Sequence, residues 1–231
     1  MKKEILRVRT EFVTPFLATA SGNPELQEEF IVAKIADYKG EITVDEKNAK
    51  MAEEIAAVPV DEQITKGSTV FQRNDEGLHV WDYTWRGFFK ECVSHFIELG
   101  EVKKLNPWNY KKACDGALYV NPRRIYLFDK DGKIIKEPHG TLQRPLRATT
   151  LRGDRVALAR SEFVSEGSYC EFEVVLFISQ SQKDYAAWRE LTMDLVKQCL
   201  DMGNYKGSGQ WRSGGYGRFT WEEMPGPAKA S

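Results

Sequence analysis

The chain has 231 residues, 42% of them apolar and 29% charged, with 33 basic against 34 acidic side chains. That balance describes a folded protein with room for a sizeable core and excludes a disordered or fibrous chain. No stretch approaches eighteen consecutive apolar residues and no apolar segment follows the basic residues at the start, so no membrane span or secretory leader is expected and the cytoplasm is the expected location.

Residues 4–13 read as a strand, with Ile5, Val8 and Phe12 among charged neighbours, ending at Thr14-Pro15 where proline cannot continue a ladder. A small-residue turn follows over 16–24. The stretch 25–63 is mixed and acidic; it holds a candidate strand over 30–35 and a candidate helix over 44–57, with Asp45 as N-cap. Residues 81–99 predict an amphipathic helix. Trp85, Phe88, Phe89, Cys92, Val93, Phe96 and Leu99 recur at spacings of three and four, and Gly100 supplies the stop. Residues 103–115 are basic and aromatic. A strand is predicted over 118–128, and Asp131-Gly132 offers a hairpin turn into 133–135.

Two further strands are expected over 155–160 and 168–178, separated by a turn at Glu166-Gly167. In the second, Cys170, Phe172, Val174, Leu176 and Ile178 form one wholly apolar face. Residues 183–202 predict a second amphipathic helix carrying Trp188, Leu191, Leu195, Val196 and Cys199. Residues 219–221 are the closing strand, and 225–231 a fraying tail. The order strand, helix, strands, helix, strand is that of the ferredoxin-like, RRM-like α+β unit. The expected organisation is one domain over 1–224, with an insertion at about 23–80.

The near-neutral total hides a division along the chain. Residues 103–160 carry 14 basic against 5 acidic side chains, a net of +9, while 1–66, 67–102 and 161–231 are net −4, −3 and −3. So positive a segment suits either a basic face for a polyanion or a solvated surface paired elsewhere. Cys92, Cys114, Cys170 and Cys199 form no C-x-x-C pair, which points to buried reduced thiols rather than a zinc or disulfide framework.

The most informative segment lies between the second helix and the closing strand. Six glycines fall within the fifteen residues 203–217. Glycine there permits positive φ and lets main-chain N–H groups approach an anion with no Cβ in the way. Lys206, Arg212 and Arg218 add charge, while Tyr205, Trp211 and Tyr216 add ring faces for stacking. The bland alternative is a flexible hairpin with surface arginines. No G-x-x-x-x-G-K-[ST] run occurs, so this is not a Walker loop.

The run Gly207-Ser208-Gly209-Gln210-Trp211-Arg212-Ser213-Gly214-Gly215-Tyr216-Gly217 resembles the G-x-G-x-x-R-S-x-G-x-G loop of the CRISPR-associated RAMP superfamily, whose RRM-like members form the crRNA-binding subunits of CRISPR effector complexes. Thr14-Pro15-Phe16 followed by Ala20-Ser21-Gly22 is similar to that family's turn after its first strand. Trp85-Arg86-Gly87-Phe88-Phe89-Lys90 is similar to the start of its first helix, and the run from Arg155 through Phe172 to its paired strands. The resemblance covers most of the chain in order, although the glycine-rich loop alone is distinctive. It implies a non-catalytic protein that binds RNA or single-stranded nucleic acid beside copies of itself or related RAMP subunits, in antiviral defence. Lys206, Arg212 and Arg218 would neutralise phosphates; Gly207, Gly209, Ser213, Gly214, Gly215 and Gly217 would bring the main chain close; Trp211 or Tyr216 would stack. Arg144, Arg147 and Arg152 are expected to join that face, because arginine forks grip phosphate bidentately.

Other readings stay open. RNA-cleaving relatives use a histidine or a loop aspartate beside a metal, whereas His79, His95 and His139 all lie away from the loop. Glu25, Glu28, Glu29 and Asp37 are candidate metal ligands or an ordinary solvated face. Asp129 and Asp131 begin like a calcium loop but lack its twelfth-position glutamate, so a β-turn is expected. No cofactor, metal or catalytic residue is assigned. The alternatives to nucleic-acid binding are an RNA-processing endonuclease on the same fold, and a phage or prophage protein–protein module acting on CRISPR-type complexes.

Overall fold

The computed structural model describes residues 2–22, 68–103, 105, 108–150, 153–178 and 190–225. The strand expected over 30–35, the helix over 44–57 and the candidate ligands Glu25, Glu28, Glu29 and Asp37 lie outside the described residues, as does Arg152. In chain order the elements are β1 (Lys2–Phe12), β2 (Phe16–Leu17), β3 (Ala20–Ser21), β4 (Ser68–Val70), β5 (Gln72–Arg73), β6 (Leu78–Trp81), α1 (Asp82–Glu98) and α2 (Tyr110–Ala117). There follow β7 (Leu118–Asn121), β8 (Arg124–Phe128), β9 (Gly140–Thr150), β10 (Gly153–Val164), β11 (Tyr169–Ile178), α3 (Met193–Asp201), α4 (Gly203–Lys206) and β12 (Phe219–Glu223).

The chain divides into two compact units. The first is drawn from Met1–Phe16, Val80–Lys133 and Ser165–Ser231, the second from Leu17–His79 and Ile134–Val164. In the first unit β1 lies between β12 and β11, antiparallel to both, and β11 pairs in turn with β7 and β8. That is the ferredoxin-like order, with the last strand beside the first and the third beside the second. The α+β, ferredoxin-like fold expected from the sequence is the one observed.

Alternation along β1 explains which side is the core. Leu6, Val8, Thr10 and Phe12 are buried, while Arg7, Arg9 and Glu11 take the other face. Against the inner face α1 sets Trp85, Phe88, Phe89, Cys92 and Val93, and α3 buries Leu195, Val196, Cys199 and Leu200. Phe219 is the hub, with ring centroids 5.2 Å from Trp85 and from Phe88 and 6.4 Å from Phe12. Each such ring contributes about 1.5–3 kcal/mol by leaving water, so this cluster fixes where β12 begins. The helix expected over 81–99 is therefore nearly coextensive with α1.

Other elements differ from expectation for identifiable reasons. Helix α2 falls within the stretch read only as basic and aromatic, because it buries the small residues Ala113, Cys114 and Ala117, which leave no strong apolar period. The turn at Asp131-Gly132 forms, with Asp129 Oδ1 accepting from the N–H groups of Asp131 and Lys133 at 2.9 Å each. This is the β-turn expected, but 133–135 do not go on as a strand.

In the second unit β10 is the centre. It pairs antiparallel with β9 from Gly153↔Thr150 to Phe163↔Gly140 and parallel with β4 at Arg160↔Ser68. The expected strand over 155–160 is thus longer than the apolar residues indicated. Its partner β9 went unforeseen, since it carries Pro145 and little apolar alternation. Pro145 stands opposite Leu158 on a strand whose only ladder among the described residues is to β10, the edge position where a missing N–H is tolerated. Glu162 ties the unit together, its carboxylate accepting from the Phe71 N–H at 2.8 Å and from Arg73 at 2.6 Å.

Candidate nucleic-acid interface

Helix α3 delivers the chain to the loop. Thr192 caps it, Oγ1 accepting from the Leu195 N–H at 3.1 Å, and satisfies one of the first-turn donors. Its buried face holds it against the core as far as Leu200. Gly203 then packs directly on the Phe219 ring, where a Cβ would overlap ring carbons. The single turn of α4 leaves Tyr205 74% exposed and stops at Gly207, whose φ of 67° is open to few other residues.

Main-chain bonds close the stem of the loop. The buried Ser208 donates its N–H to Gly217 O at 2.8 Å, and Gly217 donates to Pro15 O at 2.9 Å. Arg218 donates its N–H to Thr14 Oγ1 at 2.9 Å, and its carbonyl accepts from Val13 N at 2.8 Å. The Thr14-Pro15 turn after β1 is thus the surface on which the stem rests. Two glycines are required here: a Cβ on Gly207 would stand 2.7 Å from Tyr216 O, and one on Gly217, at φ 69°, would run into Ser208 O.

The tip is a turn built on an aromatic pair. Trp211 adopts φ 50° and ψ 42°, left-handed for a bulky residue, and leads into a 3₁₀ turn over Arg212–Gly214. Such a conformation costs about 1–2 kcal/mol. The Trp211 ring stacks on Tyr216 with centroids 5.0 Å apart and planes 15° from parallel, a contact that offsets about 0.5–1.5 kcal/mol. Gly214 lies against the indole, where a Cβ would come within 2.6 Å of the ring. Trp211 nonetheless keeps 37% of its surface exposed. Ser213, Gly214 and Arg218 are exposed, whereas Gly203, Gly207, Ser208 and Gly217 are buried.

The three loop cations differ. Lys206 Nζ lies 3.3 Å from Glu91 Oε1, and Arg212 makes a very short contact to Glu91 Oε2. Partial burial pushes the Glu91 carboxyl up, but the Arg212 hydrogen bond and the charges of Arg212 and Lys206 outweigh it and hold the carboxyl below the ordinary glutamate value. Arg218 has no carboxylate partner among the described residues. The N–H groups of Gly209 and Tyr216 have no acceptor among them either. Glu91 sits on the polar face of α1, and no spacing in the sequence marks it as lying under a loop more than a hundred residues away.

The remaining expected residues fall elsewhere. Arg144 and Arg147 belong to β9 in the second unit, opposite Ala159 and Val156, and their three-residue spacing puts these two positions on opposite faces of the strand. On the outer face of the first unit's sheet Arg7 pairs with Glu173 at 2.8 Å. Arg9 lies 3.8 Å from Glu222 and stacks over the Tyr169 ring at 3.7 Å, and a shallow pocket is lined by Arg9, Glu11, Thr220, Trp221 and Glu222. His79 is buried with Nδ1 3.5 Å from Gly77 O, His95 lies in the last turn of α1, and His139 donates its N–H to Phe163 O; none is in the loop. Among the described residues no cluster of three or more His, Cys, Asp or Glu is arranged to hold a metal, and no helix is long and apolar enough to cross a membrane.

Fold and loop together define an α+β, ferredoxin-like chain with a glycine-closed loop before its last strand. No protein-family model matches it, and no curated protein does. Among solved structures, a chain from a "Type IV-B CRISPR Complex" is similar over 99% of this chain and 93% of that one, at 8% identity and a TM-score of 0.44. At that score the likeness is too weak to bear on fold or function.

Proposed function

We infer that this chain binds single-stranded nucleic acid, RNA in the first place, without cleaving it, as a RAMP-type subunit alongside copies of itself or related subunits in a CRISPR-type complex. The observation that carries this reading is what the loop can still offer a ligand. Among the described residues Arg218 has no carboxylate and the N–H groups of Gly209 and Tyr216 have no acceptor, while Trp211, stacked on Tyr216, keeps part of its ring exposed. Cation, main-chain donors and ring are what a phosphate and an adjacent base require. The stem that presents them is fixed by main-chain bonds, so little order has to be created on binding.

A second reading is favoured by one contact. Glu91 pairs with both Lys206 and Arg212 and cancels one of their two charges, as suits a loop whose role is to pack against another protein. Titrating labelled single-stranded RNA at two salt concentrations separates the two. A nucleic-acid binder loses affinity as salt rises, and Arg218→Ala should weaken it and reduce the logarithmic salt slope by about 0.7. Trp211→Ala should cost about 1–3 kcal/mol of binding. Absence of binding at either salt, in protein freed of co-purified nucleic acid, would leave the protein–protein reading in possession.

A further inference from the structure

We propose that Lys206 and Arg212 form a subsite for one backbone phosphate, and that the Glu91 carboxylate fills it in the free protein, so that an entering strand exchanges one anion for another. This rests on the reading that the loop binds nucleic acid. Two cations from different turns of the loop converge on the two oxygens of one carboxylate, Lys206 on Oε1 and Arg212 on Oε2. The two non-bridging oxygens of a phosphodiester present the same acceptor pair, and the guanidinium fork accepts either anion.

Three features make the carboxylate displaceable rather than structural. It comes from α1, not from the loop. The loop's shape is set by the Ser208–Gly217, Gly217–Pro15 and Arg218–Thr14 bonds, none of which uses Glu91. Its side chain is 41% exposed, with those of Arg212 and Lys206 at 34% and 22%, so water reaches the pair and a released carboxylate has solvent to enter. Like any carboxyl at or below the ordinary glutamate value, Glu91 is ionised at neutral pH and competes as an anion.

The test is Glu91→Gln, which keeps the shape and removes the charge, measured with labelled oligouridylate over a range of salt. Affinity should rise about fivefold at low salt, the effect of one unit charge some 4 Å from a phosphate in a water-like medium. The salt slope should steepen by about 0.7, as one more phosphate meets cations that no longer carry their own counter-charge. In an Arg212→Gln background the gain should vanish. Equal or weaker binding by Glu91→Gln with an unchanged slope overturns the subsite and makes Glu91 a loop staple. Should Glu91→Gln fail to fold, Arg212→Gln alone decides: a weaker affinity with a shallower slope supports the subsite, and no change overturns it. If wild-type protein binds and Arg218→Ala weakens it while Glu91 and Arg212 variants do nothing, only the subsite falls; if wild type binds no RNA, both fall.

Discussion

Replacing Gly203 by alanine sets two effects against each other, and the structure decides between them. Alanine gains at most about 1 kcal/mol of helix propensity over glycine. Against that, the new methyl would be driven into the Phe219 ring, with Cδ2 2.7 Å away and Cε2 and Cζ nearer still. Phe219 is 0% exposed and hemmed in by Phe12, Trp85 and Phe88, so the ring cannot swing aside as a surface side chain would. Overpacking of this kind costs about 1–3 kcal/mol, leaving a net loss of up to about 2 kcal/mol and a melting temperature lower by up to about 8 °C for a chain of this size. Gly87 is the internal control. It is exposed within α1 and a Cβ there meets nothing within 4 Å, so Gly87→Ala should stabilise by about 0.8–1 kcal/mol. Urea unfolding followed by circular dichroism reads both as midpoint shifts of opposite sign at an unchanged slope. A Gly203→Ala protein more stable than its parent would refute the packing argument, and a destabilised Gly87→Ala would refute the propensity one.

Gly217→Ala puts a methyl against Ser208 O at a φ of 69°, so the stem must open. RNA affinity should fall about tenfold or more, the equivalent of about 1.4 kcal/mol, with far-UV circular dichroism retained; unchanged affinity would remove the stem from the site. Burial pushes the thiols of Cys114 and Cys170 up to about 12, and the hydrogen bond with Cys92, followed by burial, raises that of Cys199 well above its ordinary value. A raised thiol pKa means a protonated, unreactive sulfur at pH 8. All four cysteines are buried, so a disulfide reagent should modify them only as fast as the protein unfolds. Rapid modification of any one in native protein would contradict that burial.

The legible parts of this chain are those where burial leaves a period in the sequence. Helix α1 spends its large apolar residues on one stripe, and β11 alternates Cys170, Phe172, Val174 and Leu176 with residues of the opposite face, so both could be placed to within a few residues. Helix α2 buries alanines and a cysteine, and β9 carries Pro145 and little apolar alternation in its sequence; each is held by its tertiary setting. The loop was half legible. Its glycines announced positive φ, which Gly207, Gly209, Gly215 and Gly217 adopt. Gly203 and Gly214 serve close packing on Phe219 and Trp211 instead, a use that composition cannot distinguish. The pairing of Lys206 and Arg212 with Glu91 was out of reach, because it depends on α1 lying beside the loop rather than on any local pattern.

Charge counting along the chain meets the same difficulty. The run 103–160, net +9, is divided by the fold: 103–133 in the first unit holds 8 basic against 3 acidic residues, and 134–160 in the second holds 6 against 2. Two of these cations are already engaged, Arg123 and Arg124 lying 4.8 and 5.8 Å from the Trp81 ring. The run's own Asp115 and Glu137 pair instead with Arg86, Lys90 and Arg73 from outside it. On the loop, Arg218 is the cation whose charge meets no carboxylate among the described residues. One uncommitted cation engages about one phosphate, and for a single strand that gives a logarithmic salt slope of only about −0.7. Under the proposed function a lone copy would therefore bind weakly, and useful affinity would come from several copies engaging one strand, each later contact made at a high effective concentration. A near-neutral chain suits that arrangement, since neighbouring copies would not repel one another along the strand.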